Sequence, residues 1–146
     1  MTAAHAVLGG AATGLFAAAA GLGGWRWWRV EPSALFWPAL RAAQALLVAD
    51  AALGGALVLA GRHPDDGLHY VYGLLPLAVS FFAEQLRIAS AEAVLEARGL
   101  PSAHAVGELP EDRQRSVVVA IVRRELGVMT LAALVAAGLC LRAAFT

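Results

Sequence analysis

Residues 35–61 read LFWPALRAAQALLVADAALGGALVLAG. Only Arg41, Gln44 and Asp50 are strongly polar in this stretch. A membrane-spanning helix needs roughly 20 predominantly apolar residues, so the stretch is long enough to cross a bilayer. Three further apolar runs flank it. One covers Ala3 to Gly24, one begins at Leu68 and stays apolar to Ala83, and one covers about Val117 to Leu141. The last is interrupted by Arg123, Arg124 and Glu125.

Composition agrees with four spans. Of the 146 residues 60% are apolar and 15% charged, and mean hydropathy is +0.66. A soluble domain carries about 45–50% apolar and 25% charged residues, and a small core cannot hide the excess. The fold class expected is therefore all-α: a polytopic membrane protein built as a four-transmembrane-helix bundle. One domain over 1–146 is expected, with helices over about 3–24, 35–61, 68–98 and 110–143. The first run lacks a basic segment before it and reads as a retained helix rather than a cleaved signal.

The connections carry the polar residues. Trp25, Trp27, Trp28 and Trp37 flank the first, with Arg26 and Arg29 among them, an interfacial aromatic and cationic belt. The second, Arg62 to Gly67, is a short turn with Pro64 and Gly67. The third helix should run on as Glu84–Arg98 and stop at Gly99 and Pro101. The fourth should start near Pro110, with Glu111 and Asp112 in its first turn, where acids oppose the helix dipole. From Pro110 to Ala143 such a helix is about 51 Å long, more than a hydrocarbon core of ~30 Å. The last two helices should thus project from one side as a hairpin.

All eleven basic residues are arginines, balanced by eleven acids. Nine of them (Arg26, Arg29, Arg41, Arg87, Arg98, Arg113, Arg115, Arg123 and Arg124) fall at one end, against Arg62 and Arg142 at the other. The positive-inside rule places the nine in the cytoplasm and both termini outside. Zero net charge gives no attraction to nucleic acid. No lysine is present for a Schiff base, and Cys140 is the only cysteine, so an intrachain disulfide is excluded. No P-loop, HExxH, GxSxG or CxxC occurs.

Several polar residues fall inside or at the edge of the spans. Asp50 lies near the middle of the second run, where an acid costs roughly 2.5–3.5 kcal/mol on insertion scales. It must be protonated, hydrogen-bonded or paired. It reads either as a proton or cation site, or as a packing hydrogen bond to a Ser, Thr or Tyr of a neighbouring helix. Counted from Arg62 and from His69, Asp50 and Glu84 fall about 5 Å apart in height. Glu84, Gln85 and Arg87 form one polar collar, and Arg123, Arg124 and Glu125 another. Their depths predict Glu84 paired with Arg123 or Arg124, and Arg87 with Glu125. Arg41 and Gln44, one turn apart, would join this clasp or an anion pocket. Gly10 and Gly14 form a GxxxG pair. Gly54 with Gly55, and Gly127 with Gly138, are further candidates for close approach.

The histidines suggest cofactors. His63, Asp66 and His69 are spaced by three and three, a donor set that suits a divalent metal. His5 and His69 begin separate helices and would suit axial ligation of haem b. Four helices with outer histidines resemble the haem-binding four-helix units of b-type cytochromes, and His5 and His69 carry that resemblance. The ordinary alternative is solvated or capping histidines at an interface. Three functions follow: an accessory or interaction subunit of a membrane complex, a haem- or metal-binding redox protein, or a small oligomeric transporter or channel using Asp50, Glu84 and Arg41. The lipid bilayer is the expected surrounding, with a membrane-protein partner or a second copy of the chain.

Overall fold

The structure is a computed structural model and describes residues 3–146. Four long helices form it: α1 (Ala3–Arg29), α2 (Phe36–Leu59), α3 (Leu68–Glu96) and α5 (Glu111–Ala143), with a single short turn of helix, α4 (Ala103–Val106), before the last. All four long helices are long and apolar enough to cross a membrane. Much of their outward surface is large and apolar, including Val48, Leu74, Phe81, Phe82, Leu134 and Leu141. Contiguous apolar surface of this kind belongs against lipid.

The helix ends follow local chemistry. α1 runs five residues beyond the expected end, so Trp25, Trp27 and Trp28 lie on the helix rather than beyond it. It stops where Val30 takes a left-handed φ of 54°, with Glu31 N–H donating to the Arg26 carbonyl at 3.1 Å. A β-branched residue there is strained. The chain leaves α2 and α3 through glycines instead. Gly61 and Gly99 have positive φ, and the next residue's N–H closes back on Leu57 and Leu95. The Ser33 hydroxyl accepts from Phe36 N–H at 3.1 Å at the start of α2. Glu111 and Asp112 occupy the first turn of α5, as expected. Pro76 sits inside α3, a residue that membrane helices tolerate.

α5 is the central helix. It packs along α3 on one side and α1 on the other, and α1 carries α2. α2 touches α3 far less than any other neighbouring pair. Phe16, Phe36, Leu40, Leu47 and Met129 fill the core, with alanines from α1, α2 and α5 between them. A second, small cluster of Val94, Val106 and Val117 joins the far ends of α3 and α5 through α4. This is the projecting hairpin, at the arginine-rich end.

Helix rotation departs from the GxxxG reading. A Cβ on Gly10, Gly14, Gly55 or Gly138 would meet nothing within 4 Å. The close approaches are at Gly9, Gly23, Gly54 and Gly127. At Gly23 a Cβ would collide with Thr130 Oγ1 and with Phe36 Cε2 at 2.6 Å. Gly23→Ala should therefore cost about 1–3 kcal/mol through overpacking. Gly14→Ala, whose Cβ meets open space, should instead be neutral or stabilise by up to about 1 kcal/mol. Thermal unfolding of both variants in detergent checks this, and equal losses would contradict the packing described.

Candidate functional site

Near the terminal ends of α1, α3 and α5, polar groups from all four long helices meet. His5 of α1 and Asp50 of α2 pair through Nδ1 and Oδ1 at 2.7 Å. Both side chains are largely buried, 11% and 15% exposed. The His69 ring of α3 makes edge contact with the His5 ring, with centroids 5.8 Å apart. His69 Nδ1–H donates to the Ala143 carbonyl of α5 at 3.0 Å. That carbonyl can only accept, so Nδ1 carries the proton and Nε2 is the lone-pair nitrogen of neutral His69.

Two glycines make room for the pair. A Cβ on Gly9 would stand 3.1 Å from Asp50 Oδ2, and one on Gly54 would stand 3.3 Å from His5 Cε1. The carboxylate thus rests against a bare stretch of α1, and the imidazole against a bare stretch of α2. Gly54 is one of the close-approach glycines expected from the sequence; Gly9 is not, because its contact depends on helix rotation. The partner of Asp50 is a histidine rather than a Ser, Thr or Tyr. The sequence signal for it is positional: His5 and Asp50 both sit on runs whose ends face the same side.

The depth expected for Asp50 needs correction. His69 is the second residue of α3, and Ala143, which it contacts, is the last of α5. Asp50, level with both, lies nine residues before the end of α2. α2 therefore overhangs its neighbours, and the node lies level with the first turn of α3 and the last turn of α5. Glu84 is then far from Asp50 in height, since it follows His69 by 15 residues, about 22 Å. Counting from Arg62 treats α2 as ending level with the start of α3, which it does not.

Glu84 belongs to a second polar layer at the other end of the core. Arg41 of α2 grips it with both terminal nitrogens; the Nη2–Oε2 contact is 3.2 Å. Arg41 Nη1 also donates to Gln44 Oε1 at 2.7 Å. Arg87 donates from Nε to Glu84 Oε2 and from Nη1 to Glu125 Oε1, each at 3.1 Å. The Arg87–Glu125 contact is the one expected. Glu84 takes Arg41 and Arg87 in place of Arg123 or Arg124. Both guanidinium groups lie over Trp37, at 6.0 and 5.5 Å from the ring centroid, so this indole is a platform for the clasp as well as part of the aromatic belt. Two arginines and two glutamates neutralise one another across α2, α3 and α5, and the sparse α2–α3 seam is clasped here.

The metal reading is not supported. His63 Nδ1 pairs with Tyr70 OH at 3.0 Å, Asp66 Oδ1 accepts from Leu68 N–H at 2.9 Å, and His69 turns to Ala143. Among the described residues no group of three or more donors converges. The three-residue spacing spans the turn into α3, so the side chains separate. His5 and His69 do meet, but edge to face. Axial haem ligands must face each other across a flat macrocycle, and rings in direct contact leave no slot for one.

His5→Ala or Asp50→Ala should each cost about 1–3 kcal/mol, because each strands its partner. The double variant should cost less than the sum by about 1 kcal/mol. Thermal unfolding of the four proteins in detergent measures the coupling, and strict additivity would show that the contact contributes nothing. No protein-family model, curated protein or solved structure matches the chain, so the reading of this node rests on its own geometry.

Proposed function

We propose that this chain is a small integral membrane subunit of a larger complex or homo-oligomer, and that its contribution there is an exchangeable proton held by His5 and Asp50. The observation that carries this reading is the 2.7 Å contact between an imidazole and a carboxylate, largely buried between apolar helices. Ionisable groups kept in such surroundings are costly and default to function. An imidazole accepts a proton on one nitrogen and releases one from the other. His5 Nδ1 faces Asp50, and the adjacent His69 ring offers a second base. Shifting one proton converts the pair between an ion pair and a neutral hydrogen bond, and changes the charge that α1 and α2 present to each other.

The node exchanges protons with its own face of the membrane. A buried apolar cluster including Phe16, Leu47, Met129 and Ala133 separates it from the Arg41–Glu84 layer, so a path across the bilayer would need helices from further copies or partners. We place the node's face, with both termini, outside the cytoplasm, because nine of the eleven arginines gather at the other end.

Infrared difference spectra of the bilayer-reconstituted protein, between acidic and alkaline solution, test this. A carboxyl band should change with pH in the wild type and vanish in Asp50→Asn. His5→Ala should shift its midpoint. A difference spectrum unchanged by Asp50→Asn, with that variant still monodisperse, would refute the proton role.

A further inference from the structure

At the arginine-rich end, a groove of about 610 Å³ runs between the last turn of α1, α3 and α5. Its polar lining is Ser90, Ser116, Arg123 and Arg124, and its apolar lining includes Trp27 and Leu131. Gly127 shapes it: a Cβ there would stand 2.9 Å from Trp27 Cε2, so the indole lies directly on α5.

The charges in this groove are unlike those beside it. Arg41 and Arg87 are bound to Glu84 and Glu125, and Arg26 to Glu31. Among the described residues, Arg123 and Arg124 have no carboxylate within ion-pair distance, and neither has Arg98. Arg98 Nη1 donates to Ser116 Oγ at 3.0 Å, which brings a third guanidinium to the rim and leaves the Ser116 hydroxyl hydrogen to donate. The polarity is also graded along α5. Ser116 lies toward the projecting hairpin, the two arginines follow, and Gly127, Val128 and Leu131 continue toward the core.

We propose that this groove binds one anionic glycerophospholipid, with its phosphate on Arg123 and Arg124 and an acyl chain along Trp27, Val128 and Leu131. Guanidinium groups match phosphate oxygens in pairs. Basic pockets between membrane helices recognise lipid headgroups by this chemistry. The uncompensated positive charge selects an anionic lipid over a zwitterionic one, and the apolar half selects a lipid over a free anion.

Native mass spectrometry of the full chain in detergent tests the proposal, with phosphatidylglycerol and phosphatidylcholine of identical acyl chains as probes. One phosphatidylglycerol should be retained per chain, about tenfold more tightly than phosphatidylcholine. Arg123→Gln/Arg124→Gln should reduce that preference to none. Arg123→Lys/Arg124→Lys should keep most of it, and Arg142→Gln, at the opposite end, should keep all of it. Equal retention of the two lipids by the wild type would overturn the proposal whether or not the variants fold. A preference that survives in the double Gln variant would also overturn it, as would displacement of the lipid by millimolar inorganic phosphate, which would mark a site for a soluble anion.

Discussion

A polar group inside a lipid-facing bundle has no water to turn to, so it must find its partner within the protein. This constraint organises the molecule. The acids, arginines and histidines at bundle depth gather in two layers, one at His5, Asp50 and His69, the other at Arg41, Glu84, Arg87 and Glu125, while the buried Thr130 hydroxyl finds no partner among the described residues. Measured along α3 from His69 to Glu84 they are about 22 Å apart, somewhat less than the hydrocarbon thickness of ~30 Å. Between them lies a core of alanines and a few large side chains. The layers also do what packing leaves undone. α2 and α3 share little surface, yet both layers bridge them, through Asp50, His5 and His69 at one end and through Arg41 and Glu84 at the other.

How much of this is legible in the sequence depends on which properties follow from length and which from angle. Four helices, the extended third and fourth, and the acids opening α5 are length and cap properties, and runs such as Leu35–Gly61 display them. Rotation is hidden because these helices are apolar nearly all round, so no stripe marks the inward face. Hence Gly10 and Gly14, which match a packing motif, face outward, while Gly9 and Gly54 shape the site. Height is hidden for another reason. The 60–67 connection lets α2 overhang α3, and counting residues from Arg62 places Asp50 too deep. The pairing of Glu84 with Arg41 stays hidden even then: counted from the node they differ by about 9 Å in height, a gap that the two long side chains close. The Arg87–Glu125 contact is legible because the start of α3 and the end of α5 are level, with His69 beside Ala143, and the two partners each lie 18 residues from them.

The two ends of the bundle have different chemistry. The node end pairs His5 with Asp50 and ties the first turns of α1 and α3 to the last turn of α5. The arginine-rich end has a neutral clasp and, beside it, three guanidinium groups that have no carboxylate within ion-pair distance among the described residues. Glu125 directly follows Arg124 on α5, and the Ser90 hydroxyl donates to the Arg87 carbonyl at 2.8 Å. A headgroup in the groove would therefore sit next to the Arg87–Glu125 pair, so lipid occupancy and the clasp share neighbours.

The central claim is that His5 is held by Asp50 inside the bundle rather than solvated at its edge. Nuclear magnetic resonance of protein with ¹⁵N-labelled histidine, in bilayers, measures this directly through exchange of the ring N–H protons with solvent. The account predicts a slowly exchanging Nδ1–H for His5 that becomes fast in Asp50→Asn, beside fast exchange at exposed His63 in both proteins. A His5 ring proton exchanging as fast as that of His63 in the wild type would contradict it.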